Sequence, residues 1–308
     1  MKRIVSVSIG SSTRNNKVET EIMGEKFIIE RIGTDGDMKK AIDLIKELDG
    51  KVDAFGMGGI DLYLYAGKRR YVIKDAIPLK NAAKKSPIVD GSGLKNTLER
   101  RVIKYIHDND IVNIKGKKVL MVSAMDRFGM TQSFHEYGAN LTLGDIIFAL
   151  GIPIPLHSLK LLYGLASIIA PIIVKMPFKM LYPTGDKQLS INSGKYERFY
   201  NEADIIAGDY LFVKKYMPEN LRNKIIVTNT VTKEDVKMLK DRGVRLLITT
   251  TPNLNGRSFG TNVMEAVLVS LSGKKPSEME PEDYNRLLDE IGFEPRIEYL
   301  NEEAVIEK

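Results

Sequence analysis

KKVLMVSAMDRFGMTQSFHEYGANLTLGD, residues Lys117 to Asp145, is the stretch whose reading decides the fold. An unbroken apolar run, Val119–Val122, gives way to a short loop, Ser123–Phe128. A helix opens near Gly129, and a second strand, Leu141–Leu143, runs out at Asp145. Strand, loop, helix and strand in that order make the first βαβ of a nucleotide-binding sheet. A dinucleotide fingerprint needs G-x-G-x-x-G in the loop, because the backbone must turn tightly and bring its N–H groups onto a pyrophosphate at the helix N-terminus. The matching positions are Ala124, Asp126 and Gly129, so the third glycine alone survives. An aspartate at the second place meets a pyrophosphate with the wrong charge unless Arg127 or a metal ion compensates. Asp145 stands about where such folds place an acid for a ribose hydroxyl, which points to NAD or NADP as the cofactor.

Downstream of Asp145 the chain turns apolar. Ile146–Val174 holds one lysine, Lys160, and is interrupted by Pro153, Pro155 and Pro171; its longest charge-free run, Leu161–Val174, is too short to span a bilayer. Met176–Tyr182 continues the segment amphipathically. Three readings follow for 146–182: a helix pair buried in the core or a homo-oligomer interface, a lid over an apolar substrate, or a surface lying on a membrane. Three strand and helix repeats then extend the parallel sheet. Asp204–Ala207 ends in Gly208-Asp209, Ile225–Thr228 in Asn229-Thr230, and Leu246–Thr249 in Thr250-Thr251, with helices Tyr210–Tyr216 and Lys233–Arg242 between them. Ligands of open parallel sheets gather beyond the carboxyl ends of strands, so Asp126, Arg127, Asp209, Asn229, Thr230 and Thr251 are expected on one rim. Gly256-Arg257-Ser258 offers a guanidinium at a helix start as an anion clamp; the alternative is Ser258 or Thr261 as a helix cap with Arg257 exposed.

Upstream, strand Ile4–Ile9 leads through a polar turn to the hairpin Val18–Ile22 and Phe27–Ile32, then to a helix, Met38–Leu48, with Ala41, Ile45 and Leu48 on its apolar face. Val52–Met57 ends in Gly58-Gly59-Ile60-Asp61, where backbone comes close to a ligand or to another loop. Pro87–Val89 leads into Asp90-Gly91-Ser92-Gly93-Leu94-Lys95 and a helix, Leu94–His107. Glycines, a hydroxyl and a lysine at a helix start can surround an anion, although the spacing is not that of a Walker A loop. The domain boundary is placed near residue 110. The expected class is two-domain α/β: an N-terminal mixed α/β substrate domain, residues 1–110, and a Rossmann-like, mostly parallel sheet domain, residues 111–308, with the apolar insertion and a C-terminal tail docked on the second domain.

Composition narrows the function classes. Of 308 residues 43% are apolar and 28% charged, an ordinary globular balance. The 46 basic residues against 40 acidic ones give +6, but they are interspersed, and clusters such as Lys68-Arg69-Arg70 are short; a solvated face, not a nucleic-acid patch, is the reading. With no cysteine there is no disulfide framework, thiolate zinc site or cysteine nucleophile, and no metal site is assigned. Met1-Lys-Arg runs straight into a strand, so a cytoplasmic location is expected.

The order of parts over roughly 113–272 resembles the cofactor domain of shikimate and quinate dehydrogenases. Lys118–Met130 matches its first strand, loop and helix, Ala203-Asp-Ile-Ile-Ala-Gly-Asp209 its ADIIVNAT-like strand, and Leu221–Asn229 the next strand. The chain also resembles a bacterial group labelled quinate 5-dehydrogenase. The resemblance implies NAD or NADP over Ala124–Gly129 and a catalytic lysine and aspartate. Lys95 as general acid/base with Asp90 orienting it, or Asp209 on the rim, are candidates by chemistry alone, not by a motif match. Substrate contacts fall to Gly58, Gly59, Asp61, Ser92 and Arg257. Two functions follow: an NAD(P)-dependent oxidoreductase acting on a small hydroxyl or carbonyl compound, or a non-catalytic Rossmann-like protein that binds a ligand and uses its apolar segment for dimerisation or membrane contact.

Overall fold

Apolar runs without alternation form parallel strands, because such strands are covered on both faces. The computed structural model describes residues 1–66, 69–177, 194–254 and 257–302. Its chain divides into two compact units. The first holds Met1–Thr97, the described part of Ser167–Leu189, and Phe259–Phe293; the second holds Leu98–Ala166 and the described parts of Ser190–Ser258 and Glu294–Lys308. Each has a parallel-rich sheet with helices, so the protein is two-domain α/β.

In the first unit β1 (Lys2–Ser8), β2 (Asn16–Ile22), β3 (Glu25–Gly33), α1 (Met38–Leu48) and β4 (Ala54–Gly58) precede a hairpin of β5 (Tyr63–Ala66) and β6 (Arg69–Val72). Helix α2 (Ile77–Ala82), β7 (Ile88–Val89) and the start of α3 (Ser92–Asp108), as far as Thr97, follow. The sheet order is β2-β3-β1-β4-β7, parallel except for the β2 edge. The chain builds to one side of β1 and then crosses to the other, so the β1/β4 junction is the topological switch point. Asp37 caps α1 by accepting from Lys40 N at 2.9 Å, and Ala41, Ile45 and Leu48 are buried in the core with Val5 and Phe55.

The second unit contains β8 (Lys118–Met121), α4 (Phe128–Glu136), β9 (Asn140–Leu143), α5 (Asp145–Leu150), the start of α6 (Leu159–Ile173) and α7 (Glu197–Glu202). β10 (Ile205–Ala207), α8 (Tyr210–Tyr216), β11 (Ile225–Thr228), α9 (Lys233–Asp241) and β12 (Leu246–Thr249) continue it, with a short β13 (Asn253–Leu254) and β14 (Arg257–Ser258). Helices α10 (Thr261–Ser272) and α11 (Pro281–Glu290) return to the first unit, and β15 (Arg296–Tyr299) closes the second sheet. Its order is β15-β12-β11-β10-β8-β9, parallel except for β15 on β12. The switch point lies between β8 and β10, where Ile205 pairs with Val119 and Ala207 with Met121.

Two expectations are corrected. The units do not meet at one boundary near residue 110; the chain passes between them repeatedly, because α10 packs on β1, β4 and β7 of the first sheet. The tail helix, α11, accordingly belongs to the first unit, and only the strand of the tail, β15, joins the second. The described part of the apolar segment holds two helices, α5 and α6. Gly151, in the left-handed region at φ 77°, ends α5, and an extended stretch pairs Leu156 with Leu143 before α6 begins. Residues 178–182 of that segment lie outside the described residues. Among the described residues no helix is long and apolar enough to cross a membrane.

Candidate functional site

At the carboxyl end of β8 the loop Ser123–Arg127 occupies the place of a phosphate-binding loop, and two of its N–H groups are already engaged. Ala124 N donates to Asp145 Oδ2 at 3.1 Å and Met125 N to Asp145 Oδ1 at 2.8 Å. Asp145, the first residue of α5, therefore sits as a carboxylate where an anion's oxygens would be received. Burial pushes its carboxyl up to about 6; the two N–H bonds oppose that, and the charge of Asp126 adds to it.

Arg127, buried, fills the space behind this loop. Its Nη1 donates to Glu99 Oε1 at 3.0 Å, its Nη2 to Asp209 Oδ2 at 2.9 Å, and its Nε lies 3.2 Å from Asp126 Oδ2. Burial pulls the guanidinium toward deprotonation, but Asp126, Glu99 and Asp209 together outweigh it and hold the charge more firmly than usual. Glu99 also accepts from Met130 N at 3.2 Å, in the first turn of α4 beside the buried Gly129. One cation against three carboxylates leaves this crevice anionic, the wrong sign for a diphosphate.

The rim expected at the strand ends is present in part. Asp209 caps α8 through Leu211 N at 3.0 Å, Asn229 Nδ2 donates to Asp209 Oδ2 at 2.8 Å, and Thr251 Oγ1 donates to the Asn229 carbonyl at 3.0 Å. Thr230, half-buried, follows Asn229 on the same loop. Gly208 makes the turn possible. At φ 134° it adopts a backbone that favours glycine, and a Cβ would lie 2.7 Å from Val122 Cγ2. Asp209 links the arginine to the rim, since its Oδ2 accepts from both Arg127 Nη2 and Asn229 Nδ2. Glu99 went unrecognised from sequence because it sits on α3, 28 residues before the arginine it pairs with.

A second polar cluster lies at the carboxyl ends of β4 and β7 in the first unit. Asp90 is buried there. Its Oδ2 accepts from Leu62 N at 2.6 Å and Tyr63 N at 3.2 Å, and its Oδ1 from Ser92 N at 3.1 Å and Ser92 Oγ at 2.7 Å, which uses the four acceptor positions of a carboxylate. Lys95 Nζ pairs with Asp61 Oδ2 at 3.3 Å. Gly59, at φ 73°, brings its loop so close to the loop after β1 that a Cβ would stand 3.0 Å from Gly10 N, and Gly58 packs on Ser8. Glu265 of α10 also went unrecognised. It accepts from Gly91 N at 2.7 Å and from the Tyr284 hydroxyl at 2.7 Å, and an interior helix glutamate carries no sequence signal of that kind. The side chain of Arg257 and residue Gly256 lie outside the described residues. Among the described residues no group of His, Asp and Glu side chains could hold a metal ion. A cavity of about 610 Å³ lined by Glu219, Arg222, Arg242 and Asn301 lies at the amino ends of β11 and β12, the edge away from the strand ends where open sheets take ligands.

A family model described as a domain of unknown function (DUF8754) matches residues 93–300, and a second, described as a domain of unknown function (DUF8753), matches residues 3–90. No curated protein matches. Solved structures with a similar trace include a periplasmic ribose ABC transporter protein from Conexibacter woesei, at 11% identity over 94% of this chain and 94% of that one, TM-score 0.40. GanP, a glucose-galactose binding protein from Geobacillus stearothermophilus, is 8% identical over 97% of both chains, TM-score 0.37. An NAD-dependent malic enzyme from Thermotoga maritima is 11% identical over 94% of this chain and 84% of that one, TM-score 0.34. Scores of that size carry no argument about function. The resemblance to shikimate and quinate dehydrogenases, and with it the oxidoreductase label, is corrected: the region that carried it matches the family described as a domain of unknown function (DUF8754) instead. An order of strands and helices is shared by every doubly wound sheet, so it could not single out one family.

Proposed function

We infer that this chain, which belongs to the family described as a domain of unknown function (DUF8754), is a non-catalytic binding protein for a small polar molecule that uses no nicotinamide dinucleotide. The carrying observation is Asp145, whose carboxylate takes the Ala124 and Met125 N–H groups that a pyrophosphate would need. The anionic Arg127 crevice behind it supports the same reading. The ligand is assigned to the first unit, at the carboxyl ends of β1 and β4, where Gly59 brings two loops together and the Lys95–Asp61 pair keeps a partly accessible charge of each sign. Such a pair suits a ligand that offers both donors and acceptors, as a polyol or a hydroxy acid does.

Fluorescence titration with NADH and NADPH is expected to show no saturable binding up to millimolar cofactor. Micromolar binding of either would overturn the reading. In parallel, native mass spectrometry of the purified protein identifies a retained small molecule. Lys95→Ala and Asp61→Asn are each expected to release it, and retention by both variants removes the assigned position.

A further inference from the structure

Helix α6 buries one face and leaves the other bare. Leu162, Ala166, Ala170 and Val174, four residues apart, are buried, whereas Leu161, Ile168 and Ile172 are 62%, 70% and 61% exposed. At 100° per residue the three exposed positions, with half-buried Leu165, fall on a single stripe opposite the buried one. Just before the helix Ile152 and Ile154 are also exposed. Along the segment itself the charges have one sign. From Ile146 to Gly185 the chain has no aspartate or glutamate, although it has 40 acidic residues in all. Exposed Lys160 and Lys175 bracket the helix.

We propose that the exposed face of α6 lies in the interface of an anionic lipid bilayer, its aliphatic stripe among the acyl chains and Lys160 and Lys175 against the headgroups. Charge complementarity chooses this occupant over a second copy of the chain. In either orientation of two paired α6 helices, lysine meets lysine with no carboxylate between them, whereas anionic headgroups neutralise both. The stripe is purely aliphatic and lacks the aromatic and arginine anchors that dominate protein interfaces. Fifteen residues rise about 22 Å, too little to cross the hydrocarbon core, so the helix lies in the plane of the surface.

Flotation of the full chain with vesicles tests the proposal. It is expected to float with equimolar phosphatidylcholine and phosphatidylglycerol, less so as salt is raised, and to remain below with phosphatidylcholine alone. Ile168→Asp with Ile172→Asp is expected to weaken partitioning at least about tenfold, since two buried aliphatic side chains are withdrawn. Lys160→Gln and Lys175→Gln should each weaken it about fivefold. These positions are exposed, so the unfolding midpoint of each variant is expected to match the parent, and circular dichroism checks it. Absence of flotation with anionic vesicles, or flotation unchanged in the double aspartate variant, overturns the proposal. So does a dimer in sedimentation that Ile168→Asp dissociates while vesicles bind nothing, which would assign the face to self-association.

Discussion

Glu265 is pushed up to about 8, chiefly by burial and then by the charge of Asp90, against the opposing pull of the Tyr284 hydroxyl, the Gly91 N–H and Lys95. In the unfolded chain the same carboxyl titrates near 4.5. Between those values the unfolded state has released a proton that the folded state keeps, so this group's contribution to stability shrinks as pH rises and levels off above about 8. Glu265→Gln copies the protonated shape. It is therefore expected to flatten the pH dependence of the urea midpoint between pH 5 and 8 and to be the more stable protein at pH 8; a parallel decline in both proteins would sink this account. Arg127 behaves differently, because its removal strands the buried Glu99 carboxylate. Arg127→Met is expected to cost about 3–5 kcal/mol in urea unfolding, and adding Glu99→Gln should restore part of that. Of these residues, Arg127 and Asp126 were legible as a compensating pair because they are neighbours in sequence. Glu99 and Glu265 were not, since nothing local distinguishes them from any helical glutamate.

Elements were legible wherever their periodicity was strong. Helix α1 runs over Met38–Leu48 as its spacing predicts, and the buried runs of β8, β11 and β12 are read directly from VLM, IIVT and LLIT. Short elements escaped: β13 and β14 have two residues each, too few to show an alternation. The loop after β10 depends on one residue at this scale. Gly208→Ala puts a methyl against Val122 and Ser123 at a positive φ, and is expected to destabilise by about 1–3 kcal/mol, read as a lowered thermal midpoint. For α9 the capping box of Thr232 and Asp235 makes a second prediction: Thr232→Ala should cost about 1 kcal/mol in the same assay. An unchanged midpoint in either variant would contradict the geometry described for that turn.

For the whole molecule the decisive fact is that the first sheet is completed from the far end of the chain. Asn262 Nδ2 donates to Ser6 Oγ at 2.8 Å across 256 residues, Lys2 Nζ donates to the Ser270 carbonyl at 2.5 Å, and α10 covers β1, β4 and β7. A fragment of residues 1–110 lacks that cover and leaves an apolar sheet face in water. It is expected to show no cooperative thermal unfolding by circular dichroism, and a sharp transition from the fragment would refute the shared-core description.

The sequence by itself determined the class, the longer strands and helices, the direction of the second sheet, and the loss of the glycine loop, because periodicity, turn residues and the absence of glycine are local properties of the chain. Only the tertiary structure decided which groups answer each other. It placed Asp145 on the loop it was expected to accompany, set Asp90 against the Leu62 and Tyr63 N–H groups, and drew α10 and α11 back to the first unit. Those outcomes depend on distances between residues tens to hundreds of positions apart, which packing sets and no local pattern encodes.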